Sequence, residues 1–172
     1  MEARLTLLVA GLALAVVIFV KSRGGIVETG KGFLSLIKKF EGFAAHPYDD
    51  PPGSGKKSVG WGHQITPGEN FNYPMSMGTA SALLDRDSVV ARNAVARHVS
   101  VTLTGAQHDA LISFVYNIGE TQFVRGTVPK KINAGDLPGA GRTMLLYNKA
   151  GGVVNAGLVK RRTIEAAPFL KV

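Results

Sequence analysis

The stretch GFLSLIKKFEGFAAHPYDDPPGSGKKSVGWGH, residues 32–63, carries the signal that decides the fold class. Its first ten residues set Phe33, Ile37 and Phe40 at i, i+4 and i+7, the apolar stripe of a helix, and Gly42 is a natural stop. From His46 to Gly68 four prolines and five glycines surround Ser58-Val59-Gly60-Trp61-Gly62-His63, a pattern that predicts loops with a short hairpin. After Pro74 the composition turns helical again. Residues 76–100, rich in Ala, Leu, Val and paired charges, predict two helices. Thr104-Gly105-Ala106-Gln107 reads as a capping box, followed by the apolar stripe Ala110, Leu111, Phe114 and Val115, with Gly119 closing the helix. A last helix is expected from Leu158 to about Phe169, after a Gly151-Gly152 loop. The expected architecture is α+β and mostly helical, with two lobes: a small one containing the hairpin and a larger helical one.

The same stretch holds the candidate chemistry. Glycoside hydrolysis needs two carboxyls in different surroundings, one protonated as the acid and one ionised. Glu41 follows Ile37 by four residues, on the apolar face and at the C-terminal end of the first helix. Partial burial and the negative end of the helix dipole would both disfavour its charge, as an acid requires. Asp50 lies nine residues on, in the turn Tyr48-Asp49-Asp50-Pro51-Pro52, where a loop carboxylate stays solvated. Asp49 is its immediate rival, and either residue could simply form the turn. Ser58, at the start of the hairpin, could hold a water through its hydroxyl. On spacing alone, Glu41 also fits an ordinary surface glutamate and Ser58 a local cap.

Composition narrows the alternatives. The chain has 172 residues and no cysteine, which excludes disulfides, thiolate metal sites and a cysteine nucleophile. His46, His63, His98 and His108 are scattered, so neither a metal site nor a cofactor is expected. The net charge is +8; setting aside Arg4, Lys21 and Arg23 with Glu2 around the apolar N-terminus leaves +6. That excess suits any polyanion, including nucleic acid, anionic lipid headgroups and bacterial envelope polymers, and equally suits plain solubility. The bases form no arm and no aromatic-basic interleaving, so nucleic acid is not an expected partner.

Leu5 to Val20 is a run of sixteen uncharged residues bounded by Arg4 and Lys21. A bilayer core takes roughly 17 to 25 apolar residues, so the run is a short but usable span. It ends in Ile18-Phe19-Val20-Lys21-Ser22, without the small-x-small pattern of a cleaved signal peptide. Thr6, Ala10, Gly11, Ala13 and Ala15 weaken its preference for lipid, so it could insert and later leave. Bases after the run outnumber those before it, which by charge counting alone would put the C-terminal side in the cytoplasm. The organisation read from the chain is a membrane segment over residues 1–23, a linker over 24–31 and a catalytic domain over 32–172.

Three ordered blocks together resemble the phage lysozymes of glycoside hydrolase family 24. The first is Phe40-Glu41-Gly42, Tyr48-x-Asp50 and Ser58-Val59-Gly60-Trp61-Gly62-His63. The second runs from Thr104 through Gln107, Asp109-Ala110-Leu111 and Ser113-Phe114 to Tyr116-Asn117-Ile118-Gly119. The third is Tyr147-Asn148-Lys149-Ala150-Gly151-Gly152, then Gly157-Leu158 and Arg161-Arg162-x-x-Glu165. The resemblance covers about residues 29 to 170 and departs from the family pattern twice. Seven residues instead of five separate Asp50 from the hydroxyl, and that hydroxyl is Ser58 where Thr is usual.

The resemblance implies a lysozyme-like fold and a muramidase, acting as a monomer on bacterial peptidoglycan. Glu41 would be the acid, Asp50 and Ser58 would place water, and Asn117 would line a cleft between the lobes. His63 is expected to be structural, bonding across the hairpin. It further implies an endolysin of the signal-arrest-release kind, tethered to the inner membrane through Leu5 to Val20 and then released to the periplasm. A lytic transglycosylase and a non-catalytic, membrane-anchored wall-binding module are the competing readings.

Overall fold

The computed structural model describes residues 21–22, 25–26 and 32–171. The apolar segment Leu5 to Val20 and most of the expected linker therefore lie outside the described residues. Lys21–Ser22 (β1) and Gly25–Ile26 (β2) form a two-residue antiparallel pair. Among the described residues no helix is long and apolar enough to cross a membrane.

The first helix, α1, spans Gly32–Glu41 and buries Phe33, Leu34 and Ile37. Its start is held from a distance, by the Asp109 carboxylate, which accepts a hydrogen bond from the Phe33 backbone N–H. A side chain at Gly32 would collide with that carboxylate. Gly42, with φ of 68°, then turns the chain out of the helix.

Beyond Gly42 the chain forms more sheet than the expected short hairpin. Strands β3 (Ala44–Asp49), β4 (Lys57–Gly60) and β5 (His63–Gln64) make one antiparallel three-stranded sheet. Of the seven residues between Asp50 and Ser58, six are absorbed at the tip of its first hairpin and Lys57 joins β4. There Asp50 N–H donates to Lys56 O (3.0 Å), Ser54 N–H to Pro51 O (3.0 Å), and Lys56 N–H to Ser54 Oγ (3.1 Å). The longer loop closes on itself and leaves Tyr48 paired with Ser58 and Asp49 with Lys57.

Helices α2 (Met77–Asp87) and α3 (Val89–His98) are the two expected over residues 76–100, and the structure divides them at Ser88. The capping box at Thr104 is formed in both directions and starts α4, Gly105–Ile118. All six residues from Ala110 to Val115 are buried, so this helix is enclosed on every side rather than along one stripe. It packs against α1, α3, α5 (Glu120–Arg125) and the last helix, α8 (Ala156–Leu170). Two further helices, α6 (Val128–Asn133) and α7 (Leu137–Leu145), fill a region without a legible sequence motif. The Gly151-Gly152 loop proves to be the turn of a small hairpin, β6 (Lys149–Ala150) with β7 (Val153–Val154).

Candidate active site

Glu41 is the last residue of α1, and its side chain is 25 % exposed. Its Oε1 receives Nη1 of Arg161, on α8, at 2.6 Å. Its Oε2 faces the other way, toward the sheet: a methyl placed on Gly62 would stand 3.8 Å from it. The carboxyl thus bridges the helical lobe and the hairpin lobe. Burial and the helix dipole, the causes invoked from sequence, leave out Arg161, an opposite charge in direct contact.

Asp49 and Asp50, inseparable in the sequence, differ in the structure. Asp49 is tied across the ladder to Lys57 (Oδ1 to Nζ, 2.7 Å). Asp50, one residue beyond β3, is exposed, and no described side chain pairs with its carboxylate. Tyr48 and Ser58 face each other across the ladder, and residues two apart on a strand share a face. Asp50, two residues on from Tyr48, stands just past the end of that strand, with its backbone N–H on Lys56 O. Burial, then the negative charges of Asp50 and Glu41, push the Tyr48 phenol up, which puts both carboxylates within electrostatic reach of one ring. Ser58 itself is only 1 % exposed. A water on its hydroxyl would be an interior water, held by polar partners on several sides.

Tyr116 comes up from α4 into the same neighbourhood. Its phenol is pushed up to about 12, first by burial and then by the charge of Glu41. His63 is buried but does not bond across the hairpin. Its Nδ1 meets Asp87 Oδ2 at 2.7 Å and its Nε2 meets Glu69 Oε2 at 3.1 Å, so the ring clasps the sheet to α2. Arg86 closes that cluster on Glu69 Oε1 (2.8 Å).

Behind Glu41 lies a buried group led by Arg161, Arg162 and Glu165, to which the sequence reading gave no role beyond their place in the third block. Arg161 also donates from Nε to Glu165 Oε1 (2.9 Å) and from Nη2 to Ser113 O (3.2 Å). Glu165 is 0 % exposed and accepts from Ser113 Oγ (2.6 Å) and from Arg162 Nη1. Arg162 continues to Tyr147 O (2.9 Å) and to Asn117 Oδ1. Burial lowers the Arg162 guanidinium from its usual value, and Glu165 opposes that shift. The i, i+3 and i, i+4 spacings of Arg161, Arg162 and Glu165 are visible in the sequence, but such triplets ordinarily lie on solvent-facing helix surfaces. Asn117 borders a depression of about 250 Å³ with Tyr147, Lys149 and Arg162, whose lining includes neither Glu41 nor Ser58. A neighbouring one of about 360 Å³ is lined by Lys39, Phe40, Lys160 and Arg161.

Residues 38–165 match the profile of the family described as phage lysozyme. The chain belongs to the phage lysozyme family. That family consists of lysozyme-type glycoside hydrolases, and the resemblance to phage endolysins of the signal-arrest-release kind is borne out among this chain's relatives. The SAR-endolysin of Escherichia phage Mu is 39 % identical over 133 residues, 77 % of this chain and 75 % of that one. An endolysin of Bacillus phage B103 is 35 % identical over 139 residues, 80 % of this chain. The chain spans about half of that relative's length, 52 %. Among solved structures, the muramidase domain of SpmX from Asticaccaulis excentricus superposes with a TM-score of 0.73 at 30 % identity, covering 84 % of this chain and 98 % of that one. The lysozyme-like, mostly helical fold expected from the three sequence blocks is the fold found.

Proposed function

We propose that this phage lysozyme family member is an endolysin muramidase. It hydrolyses the β-1,4 bond between N-acetylmuramic acid and N-acetylglucosamine in bacterial peptidoglycan, for lysis of the host cell. The observation that carries the reading is the placement of Glu41. It closes α1 with one oxygen anchored on Arg161 and the other turned toward the sheet that bears Asp50 and Ser58.

In this mechanism Oε2 of Glu41 gives a proton to the glycosidic oxygen as its bond to the anomeric carbon breaks. The opposite carboxylate, Asp50, orients a water and Ser58 steadies it. The water's oxygen bonds to the anomeric carbon and its proton passes to Asp50, so each cut adds one water to the products. Lys57 supports the choice of Asp50 by engaging Asp49. Burial of Ser58 is the observation that favours a second reading, a lytic transglycosylase, which needs the acid alone and yields an anhydro sugar.

The domain plan is part of the proposal. Residues 1–23 form the membrane segment, 24–31 the linker and 32–172 the catalytic domain. The segment Leu5 to Val20 tethers the chain, as a monomer, to the inner membrane until release into the periplasm. Relatives named as SAR-endolysins support that location. With no cysteine to block the site, restraint in the tethered form is conformational: release lets α1, and with it Glu41, reach its active position. Equal specific activity of tethered and released protein would contradict this.

The deciding experiment compares peptidoglycan turnover and product masses for the wild type and Glu41→Gln. General acid catalysis contributes about 10²- to 10⁴-fold, so turnover should fall by that order, with hydrated products from the wild type. Unchanged turnover would remove Glu41 from the acid role, and anhydro products would replace hydrolysis by transglycosylation. No turnover in either protein would favour a wall-binding module.

A further inference from the structure

The guanidinium that holds Glu41 is itself fixed by other groups. Arg161 uses all three nitrogens: Nε on Glu165, Nη2 on Ser113 O and Nη1 on Glu41. Two of these bonds are buried and independent of Glu41. They set where Nη1 points before the acid is considered, because the guanidinium is a rigid planar fork.

Arg161 and Arg162 are adjacent on α8 and both buried, so their charges repel in a medium that screens poorly. Glu165 stands between them, with one oxygen on each. The result is a line of alternating charge, Glu41, Arg161, Glu165, Arg162, ending on the neutral acceptors Asn117 Oδ1 and Tyr147 O.

We propose that Glu165 is a positioning residue for Glu41: by dividing its charge between Arg161 and Arg162, it sets how firmly Arg161 grips the acid. The proposal rests on reading Glu41 as the general acid. If Glu165 is neutral, Glu41 becomes the sole carboxylate compensating Arg161 and is held more firmly ionised. If Arg162 is neutral, Glu165 compensates Arg161 alone and the grip on Glu41 loosens. The two changes therefore act in opposite directions on one carboxyl. The other charged or titratable groups around Glu41 stay in place: Tyr116 from α4 and Tyr48 from β3, each within its electrostatic reach, Asp50 acting on the same Tyr48, and Lys38 and Lys39 in the last turn of α1 itself.

The test uses the full chain as wild type, Glu165→Gln, Glu165→Asp and Arg162→Gln. Two readouts are taken: the pH profile of peptidoglycan turnover, and the ¹³C carboxyl titration of Glu41, assigned by its loss in Glu41→Gln. In Glu165→Gln the alkaline limb of the profile and the Glu41 titration should both move to lower pH, with kcat reduced more than KM is changed. In Arg162→Gln both should move to higher pH. Glu165→Asp, which keeps the charge, should return them toward the wild type. Movement in the same direction in both neutral variants, or no movement, overturns the proposal, since lost packing alone would do that. If Glu165→Gln loses its near-ultraviolet dichroism, Arg162→Gln decides by itself: an upward movement supports the proposal and none overturns it. A wild type without turnover would sink the muramidase reading, while the carboxyl titration would still decide the coupling.

Discussion

Replacing Gly60 by alanine probes the joint that holds the sheet against α2. Gly60 has φ of 67°, a conformation that costs a residue with a Cβ roughly 1–2 kcal/mol. The new methyl would also stand 2.9 Å from Ala80 Cβ and 3.5 Å from both Ala80 Cα and Met75 Sδ. The nearest neighbour is a methyl fixed to a helix backbone, so it cannot swing away, and such overpacking adds about 1–3 kcal/mol. The expected loss is about 2–5 kcal/mol, a fall in Tm of about 4–20 °C at this chain length. Gly62→Ala is the control. Its φ is 82°, but its methyl meets nothing nearer than Glu41 Oε2 at 3.8 Å, so only the backbone cost of about 1–2 kcal/mol applies. The assay is urea denaturation of both variants and of the pair Gly60→Ala with Ala80→Gly. Ala80→Gly alone costs about 1 kcal/mol for glycine inside a helix. The double variant should recover about 1–3 kcal/mol relative to additivity, the share due to the clash. Strict additivity, or equal losses at Gly60 and Gly62, would refute the reasoning that close approach to α2 is what demands glycine at Gly60.

The geometry sets three further outcomes. The Glu69 carboxyl is held at about 2, first by the Thr66 backbone N–H and then by Arg86, with His63 contributing least of the attractive partners. Its folded value lies below the usual carboxylate range. The stability it contributes is therefore present above about pH 4.3 and is lost as pH falls from there toward 2. Tm scans between pH 6 and 2 should show a shallower acid decline for Glu69→Gln than for the wild type, and identical slopes would count against the assignment. Thr104→Ala removes the hydroxyl half of the capping box on the central helix and should cost about 1 kcal/mol, read as a Tm lower by about 2–4 °C. Asp49→Asn breaks an exposed ion pair worth about 0–1 kcal/mol and should leave turnover near the wild-type rate, whereas Asp50→Asn should depress it; the reverse ranking would exchange their roles.

The helices were legible wherever a periodic stripe met a stop or a cap. The first helix up to Gly42, the break within residues 76–100 and the Thr104 capping box all rest on interactions within about four residues, which a linear reading can see. Residues 120–146 were not legible in the same way. Their helices are short, six to nine residues, and such helices take their stability from tertiary packing rather than from local pattern. The strand of the small sheet that was not foreseen is β3, Ala44–Asp49, for a related reason. Its residues show no alternation of buried and exposed side chains, and it exists as a strand through its pairing with β4.

The sequence by itself determined the chemistry on offer: one carboxylate closing an amphipathic helix, a second in a turn nine residues later, and a chain without cysteine. It could not say which of Asp49 and Asp50 is ion-paired to Lys57, because only cross-strand register brings Lys57 onto Asp49. Nor could it show that Arg161, 120 positions from Glu41, reaches that carboxylate, or that Glu165 lies behind it. Charges along a helix look solvated until another element covers them. Here the enclosed helix α4 covers that face of α8, turning what reads as a surface triplet into the buried support of the candidate acid.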